Sequence, residues 1–199
     1  WQWQANPKKS WYSLRENPSH LRLFSVALSY ADEPTLYDTP NVLLQKLPGP
    51  AFTATAQLRF FPDQVGDRSG MIVMGRTYSY AAVEQRAEGV FLTQFYGVEV
   101  DGKRSETACV RKPVEHDLVK IRLHFTAGGE CRFSVSIDGK PFIPFGETFH
   151  AESGQWTGAK IGLFCVNVNG RTGQGYADFS AFHIYKIRQS QERDCRIMN

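Results

Sequence analysis

Apolar and polar residues alternate along several short segments of the sequence, and this period of two limits the fold more than any other feature. Segments 52–60, 119–125 and 131–137 carry an apolar residue at every second position and a polar or small residue between. A strand with this pattern turns one face to a core and the other to water. Segments 70–75 and 161–166 are apolar almost throughout, which predicts central strands covered on both faces.

Turn signals separate these segments. Asp-Gly pairs at 101–102 and 138–139 stand between strand-like segments and predict hairpins whose two turn residues take positive φ. No stretch shows a helical period, and 10 prolines and 17 glycines interrupt the chain at short intervals. Many short strands at such spacing predict an all-β sandwich or barrel.

The last apolar segment breaks its own alternation. Phe179, Phe182 and Ile184 do not keep one parity, so we predict a β-bulge near 180–181 that returns the later residues to the core. A chain of 199 residues is a usual length for one β-sandwich. We therefore predict a single domain over 1–187 and a polar, loosely held tail over 188–199.

Charge and hydropathy argue against two classes of partner. The formal net charge is +3 and the basic residues are scattered, whereas nucleic-acid-binding proteins concentrate basic residues among aromatics. No apolar run approaches the roughly 20 residues of a membrane-spanning helix. We expect a soluble protein with no nucleic-acid or membrane partner.

The first four residues lack the basic and apolar regions of a signal peptide, and a secreted, periplasmic or cytoplasmic location stays open.

The cysteines do not form a recognisable metal or redox motif. Cys109, Cys131, Cys165 and Cys195 are widely spaced, without a Cys-x-x-Cys pair, which argues against zinc binding and thiol redox chemistry. The first three lie in strand-like segments, where a cysteine usually serves as a small buried hydrophobic residue. One disulfide is the alternative.

The sequence contains no recognisable set of catalytic residues. Glycoside hydrolysis needs two carboxylates across the scissile bond, and the nearest arrangement, Glu99 and Asp101, enters an Asp-Gly turn. The sequence also lacks the nucleophile elbow, the zinc-protease helix motif and the phosphate loop. Its five histidines are isolated from one another. We therefore expect no catalytic residue and no required cofactor in this chain.

Aromatic residues make up 13% of the chain and are the main candidates for ligand contact. A sugar ring presents a flat C–H face that stacks on an aromatic ring, while polar neighbours bind its hydroxyls. The same side chains are also ordinary core residues. The aromatic residues expected at exposed positions are Trp1, Trp3, Trp11, Tyr78, Tyr80, Tyr96 and Trp156. Of these, Tyr78, Tyr80, Tyr96 and Trp156 are the candidate substrate-binding residues.

Several short motifs follow one another in a specific order. They are Trp1-Gln2-Trp3 with Asn6-Pro7, Trp11-Tyr12-Ser13-Leu14, Leu21-Arg22-Leu23, Leu44-Gln45-Lys46 with Gly49-Pro50, Gly70-Met71-Ile72-Val73-Met74, Trp156-Thr157-Gly158-Ala159 and Tyr176-Ala177-Asp178-Phe179. From Trp1 to about Ile187, this series resembles the C-terminal domain of family 43 glycoside hydrolases, the β-xylosidase and α-L-arabinofuranosidase group. The resemblance implies a concanavalin A-like jelly-roll β-sandwich of two antiparallel sheets.

The resemblance also implies a role. In that family a five-bladed propeller carries the catalytic carboxylates, and the sandwich packs against it and lends a loop to its sugar pocket. An aromatic residue before a Thr-Gly-Ala motif reaches the sugar subsite. Trp156 holds that position here, where relatives more usually have Phe. The chain is then expected to be a non-catalytic accessory domain whose partners are an upstream propeller and a pentose-containing oligo- or polysaccharide.

Two other functions are compatible with the sequence. One is an independent carbohydrate-binding module for a plant polysaccharide, which a row of aromatic residues on one exposed sheet face would favour. The other is a structural domain that stabilises a homo-oligomer. Related jelly-roll sandwiches also hold a structural calcium with an aspartate of the terminal strand, and calcium prefers six to eight oxygen ligands. Asp178 is the candidate ligand, with a plain solvated aspartate as the alternative. The family's last strand commonly reads Ala-Asp-Phe-Asp, whereas Ser180 replaces the second aspartate here.

Overall fold

The computed structural model describes residues 1–28, 34–154 and 158–186, which form two 3₁₀ turns, Lys9–Trp11 and Leu36–Asp38, and fifteen strands. The strands are β1 (Gln2–Trp3), β2 (Tyr12–Ser13), β3 (Leu21–Phe24), β4 (Val26–Ala27), β5 (Leu43–Lys46), β6 (Phe52–Phe61), β7 (Asp67–Met74), β8 (Tyr78–Arg86), β9 (Gly89–Val100), β10 (Lys103–Pro113), β11 (Leu118–Phe125), β12 (Glu130–Ile137), β13 (Ile143–His150), β14 (Lys160–Asn167) and β15 (Tyr176–Lys186). The predicted tail over 188–199 lies outside the described residues.

The strands build two sheets. The eight-stranded sheet has the order β1-β5-β14-β7-β8-β9-β10, with β4 beside β14. The seven-stranded sheet has the order β13-β12-β11-β6-β15-β3-β2. Every pairing is antiparallel except the short one between β4 and β14. The predicted sandwich of two antiparallel sheets is therefore confirmed, and no helix in the described part of the chain has the length and apolar character needed to cross a membrane.

The alternating segments form the inner face of the seven-stranded sheet, as predicted. In β6, β11 and β12 the apolar residues are buried and pack in one core cluster with the inward residues of β7, β8 and β14. The two segments predicted as central strands become β7 and β14, which pair with each other and are buried at nearly every position.

The predicted turns and bulge are also present. Asp101 and Asp138 have φ of 51°, and the glycine after each also has positive φ, as a two-residue hairpin turn of this type requires. In β15 the register with β6 shifts between Ser180 and His183. This bulge lets Phe182 pack against the main core.

A second apolar cluster covers part of the outer face of the eight-stranded sheet. Leu36 and Val42, from the segment before β5, pack there against Ile72, Phe95 and Phe164 of the sheet. The sheet is thus covered on both sides in this region, which explains why segments 70–75 and 161–166 show no polar face. Trp11 was expected to be exposed, and this expectation is wrong, because only 5% of its surface is exposed and its ring packs edge-on against Trp3.

The cysteines divide into two groups. Cys131 and Cys165 are buried, as predicted, and burial raises the pKa of Cys131 to about 12. The prediction is wrong for Cys109, which is exposed. A register shift between Ala108 and Val110 places Cys109 at a bulge of the edge strand β10, where the flanking residues are not buried either. These three thiols are free, and Cys195 lies beyond the described residues.

Candidate functional site

The loop over 151–159 connects the two sheets at one end of the sandwich. It leaves β13, an edge strand of the seven-stranded sheet, and enters β14, near the middle of the eight-stranded sheet. Trp156 and its neighbours at 155 and 157 lie outside the described residues, and the role of Trp156 stays a prediction.

Both ends of this loop are held by backbone contacts. The Ala151 amide donates to the Gly129 carbonyl over 2.8 Å. A Cβ added at Gly75 would lie 1.9 Å from the carbonyl oxygen of Glu152, so the loop backbone passes directly against the turn between β7 and β8. Ala159 at the other end is buried in the main core. The loop that carries Trp156 is therefore anchored on both sides of the tryptophan.

Tyr37 lies beside this loop and was not predicted from the sequence. Its hydroxyl donates to the Arg76 carbonyl, in the same turn that Glu152 contacts, and lies 3.2 Å from the Gly97 carbonyl. Burial, followed by the charge of Glu99, raises the pKa of Tyr37 to about 12. Tyr37 comes from a segment without periodicity, so no sequence pattern distinguishes it. Its hydrogen bond connects the segment before β5 to the turn between β7 and β8, which the loop over 151–159 contacts.

Of the candidate tyrosines, only Tyr96 is partly exposed. It lies on β9, and its ring contacts Phe149 of β13, with 5.7 Å between the centroids. Tyr96 therefore connects β9 of one sheet with the edge strand β13 of the other, near the start of the loop. Its contact with substrate stays a prediction.

The expected exposure of Tyr78 and Tyr80 is wrong, because both side chains are fully buried. Their hydroxyls donate to opposite oxygens of Glu106, over 2.6 and 2.7 Å. Burial raises the pKa of both tyrosines. The rings pack in the second apolar cluster, and a Cβ on Gly97 would meet the Tyr78 ring at 2.1 Å. Their predicted contact with substrate has no support in this arrangement.

Glu106 belongs to a buried charge network that sequence reasoning also missed. Arg68 donates to Glu106 over 2.6 Å and to Glu84 over 3.3 Å. Arg68 and Glu84 are 8% and 3% exposed. Arg68 and Glu84 pair directly across β7 and β8. Charged residues within otherwise apolar strand segments were the sequence signal that could have indicated this network. Since each acid in the network has a cationic or hydroxyl partner, the arrangement is suited to holding strands together.

The carboxylates considered for catalysis do not face each other across a cleft. Glu99 accepts from Arg104 Nε over 2.6 Å. Asp101 occupies the predicted hairpin turn.

Asp178, the candidate calcium ligand, is positioned as an ion-pair partner of Arg22. Its two oxygens accept from Arg22 Nε and Nη2 over 2.7 and 2.8 Å, and Asn17 donates to it over 2.8 Å. Burial opposes ionisation, but the hydrogen bonds from Arg22 and Asn17 outweigh it, so the pKa of Asp178 lies below its ordinary value. Within the described ranges, no group of three or more His, Cys, Asp or Glu side chains could hold a metal ion.

Comparison with known proteins identifies the family. Residues 1–185 match the family of β-xylosidase C-terminal concanavalin A-like domains. The chain belongs to this family. The predicted resemblance is therefore confirmed.

Curated relatives of this C-terminal domain are larger proteins. The chain is 27% identical to a β-xylosidase of Formosa agariphila and 24% identical to a non-reducing-end α-L-arabinofuranosidase of Bacteroides ovatus. Both matches cover 92% of this chain but only 32% and 34% of the relatives. The chain thus spans about one third of the length of the curated relatives it matches.

Solved structures share the fold of the domain. A bifunctional GH43-CE protein of Bacteroides eggerthii matches with a TM-score of 0.80 at 19% identity, over 94% of this chain and 24% of that one. A GH43 protein of Bacillus licheniformis matches with a TM-score of 0.74 at 22% identity, over 92% of this chain and 36% of that one.

Proposed function

We propose that the chain is a non-catalytic accessory domain of a hemicellulose-cleaving glycosidase, in which it completes the sugar pocket of an upstream catalytic propeller. The observation that carries this proposal is the family match over residues 1–185, together with coverage of only a third of enzymes named as a β-xylosidase and an α-L-arabinofuranosidase. The remaining two thirds of such relatives have room for the catalytic domain.

The anchored loop over 151–159 supports this role. A side chain that closes a pocket on another domain has to be held in place, since small displacements of positioning groups are costly. The contacts of Ala151, Glu152 and Ala159 described above fix the loop where it leaves each sheet. Trp156 is then the residue that walls the subsite for a terminal pentose.

An apolar groove supports docking of the propeller. The groove has a volume of about 390 Å³ and is lined by Trp1, Trp3, Tyr12, Leu14, Leu21 and Phe182, among others. Trp1 and Leu14 are 57% and 64% exposed, and large exposed apolar patches usually mark interaction surfaces. The groove adjoins Trp1, where the domain continues into the upstream part of its relatives, so the propeller is its proposed occupant.

Replacing Leu14 by serine in the two-domain enzyme should loosen this docking. We expect the separate 199-residue chain to keep its stability, because Leu14 is already exposed to water there, while the two-domain enzyme unfolds at a lower temperature. Calorimetry on both forms measures the difference. An exposed residue far from the groove, Ile143→Ser, is the matched control. A two-domain enzyme that unfolds identically with and without the Leu14 substitution would remove the groove from the proposal.

Replacing Trp156 by alanine tests the pocket. In the two-domain enzyme we expect kcat/KM to fall by about 10- to 100-fold, as for the loss of 1–3 kcal/mol of packing in a substrate pocket. The free energy of unfolding of the separate chain should change little. Tyr185→Ala, which truncates an exposed ring of β15, should leave kcat/KM unchanged. A loss of about 3–5 kcal/mol of stability in the separate chain, typical of a buried tryptophan, would show instead that Trp156 is a core residue.

One observation bears on the alternative of an independent carbohydrate-binding module. Phe24, Tyr176 and Phe61 lie side by side across β3, β15 and β6, which is a row of aromatic residues on an outer sheet face. However, Arg22 lies 3.8 Å above the Tyr176 ring, and Phe61 stacks against it. The central ring therefore has no open face for a sugar, and the row favours this alternative only weakly.

A structural calcium ion remains a proposal. It would need oxygen ligands other than the two Asp178 oxygens that Arg22 and Asn17 occupy. Homo-oligomerisation through the apolar groove likewise remains a proposal, and it competes with the propeller for the same surface.

A further inference from the structure

The outer face of the seven-stranded sheet carries adjacent basic side chains. Lys120, Arg122 and His124 lie at alternate positions of β11, and the residues between them are buried in the core. Neighbouring strands add polar side chains in register with them. We call Thr55, Gln57, Lys120, Arg122, His124 and His183 the basic face.

No carboxylate lies among the strand-pairing partners of this face. On β12 the partners of the three basic residues are Ser136, Ser134 and Arg132. On β6 and β15 the remaining partners are Thr53 and Ser180. The face therefore combines positive charge with hydroxyl and amide groups over four adjacent strands.

Arg122 is the most unusual member of the face. Its guanidinium carbon lies 3.5 Å above the ring of Phe142, which holds the group in place by a cation–π contact. Its Nε is buried and has no hydrogen-bond partner among the described residues. Neighbouring arginines differ, since Arg59 pairs with Asp117 over 3.0 Å and Arg132 lies 3.5 Å from Glu130. A buried cationic donor without an acceptor is costly. The residue as a whole is only half-buried, so an anionic ligand that pairs with the remaining N–H groups of the guanidinium would stabilise its charge.

We propose that the basic face binds a polysaccharide segment that carries carboxylate groups, that is, uronic-acid units. Arg122 and Lys120 bind the carboxylate, since a guanidinium pairs with it through two parallel hydrogen bonds. Thr55, Gln57 and His183 bind sugar hydroxyls. Neighbouring strands lie about 4.8 Å apart, which is close to the length of one sugar unit. A polysaccharide that runs across the strands would therefore place one sugar unit over each strand.

The other polyanion to consider is nucleic acid, and the face fits it less well. Nucleic-acid surfaces combine a longer basic stripe with aromatic rings that stack on bases. Here the Phe142 ring is already covered by Arg122. The proposal goes beyond the accessory function, because binding to this face requires neither the propeller nor Trp156.

Calorimetric titration of the 199-residue chain tests the proposal. The probes are a xylo-oligosaccharide that bears one glucuronic-acid unit and the same molecule with its carboxyl group reduced to the alcohol. We expect the reduced probe to bind at least about tenfold more weakly, as for the loss of charge-assisted hydrogen bonds. Arg122→Gln should weaken binding of the acidic probe by a similar factor and leave the reduced probe unaffected.

Arg86→Gln is the matched control, because it removes an exposed arginine at the end of β8 in the other sheet. It should bind the acidic probe like the parent chain. Circular dichroism verifies that each variant is folded, and if Arg122→Gln is not, Lys120→Gln takes its place. Equal affinity for the acidic and reduced probes would overturn the proposal. So would duplex DNA that binds as tightly as the acidic probe at the same salt concentration, because the face would then be a general polyanion surface.

Discussion

Replacing Glu84 by alanine is expected to lower the free energy of unfolding by about 3–5 kcal/mol, because the change leaves buried positive charge without one of its partners. One Glu84 oxygen accepts from Thr93 over 2.6 Å and from Arg111 over 2.8 Å, and the other accepts from Arg68 over 3.3 Å. Arg111 is a third exposed and can turn to water. Arg68 is buried and cannot, so most of the cost arises there.

Urea unfolding of the 199-residue chain measures this loss, and Glu88→Ala supplies the control. Glu88 lies two residues beyond the end of β8, is 66% exposed and sits 3.6 Å from Arg86. An exposed pair of this kind contributes less than about 1 kcal/mol. If both variants unfold at the same urea concentration, the network on the eight-stranded sheet is not a source of stability.

The fold could be predicted largely from local patterns. The alternation in β6, β11 and β12 identifies the buried face without knowledge of the partner strands, because side-chain direction in a strand depends only on parity. The Asp-Gly turns are equally local, since positive φ is a property of the residues themselves. Even the bulge in β15 follows from the broken parity of Phe179, Phe182 and Ile184.

The surroundings of individual side chains could not be predicted in the same way. Tyr78 and Tyr80 are buried because a distant segment that contains Leu36 covers them. Their hydroxyl groups donate to Glu106, which lies on β10, two strands further along the chain. Parity places a residue on a face but does not say what covers that face. The same limit applies to Asp178, whose partner Arg22 is 156 residues away. Pairings at such distances need the strand order, which the pattern alone does not supply.

Replacing Asp178 by alanine is expected to lower the free energy of unfolding by about 2–4 kcal/mol at neutral pH. Removal of one member of a buried pair usually costs about 3–5 kcal/mol. The loss here is somewhat smaller because Arg22 is 16% exposed and keeps Glu16 at 2.9 Å. Asp117→Ala is the control on the same sheet, since it breaks the exposed pair with Arg59 and should cost less than about 1 kcal/mol.

The pH dependence of this loss distinguishes an ion pair from a calcium site. Because the folded-state pKa of Asp178 is lowered, its stabilisation is fully present above the unfolded pKa of about 4 and is lost as pH falls through the folded value. The parent chain and Asp178→Asn should therefore differ by a constant amount near neutral pH and converge in acid. Since both Asp178 oxygens already accept hydrogen bonds from Arg22, the difference should be the same in calcium and in chelator. A stability difference that appears only when calcium is present would mean that the carboxylate leaves Arg22 to bind the ion.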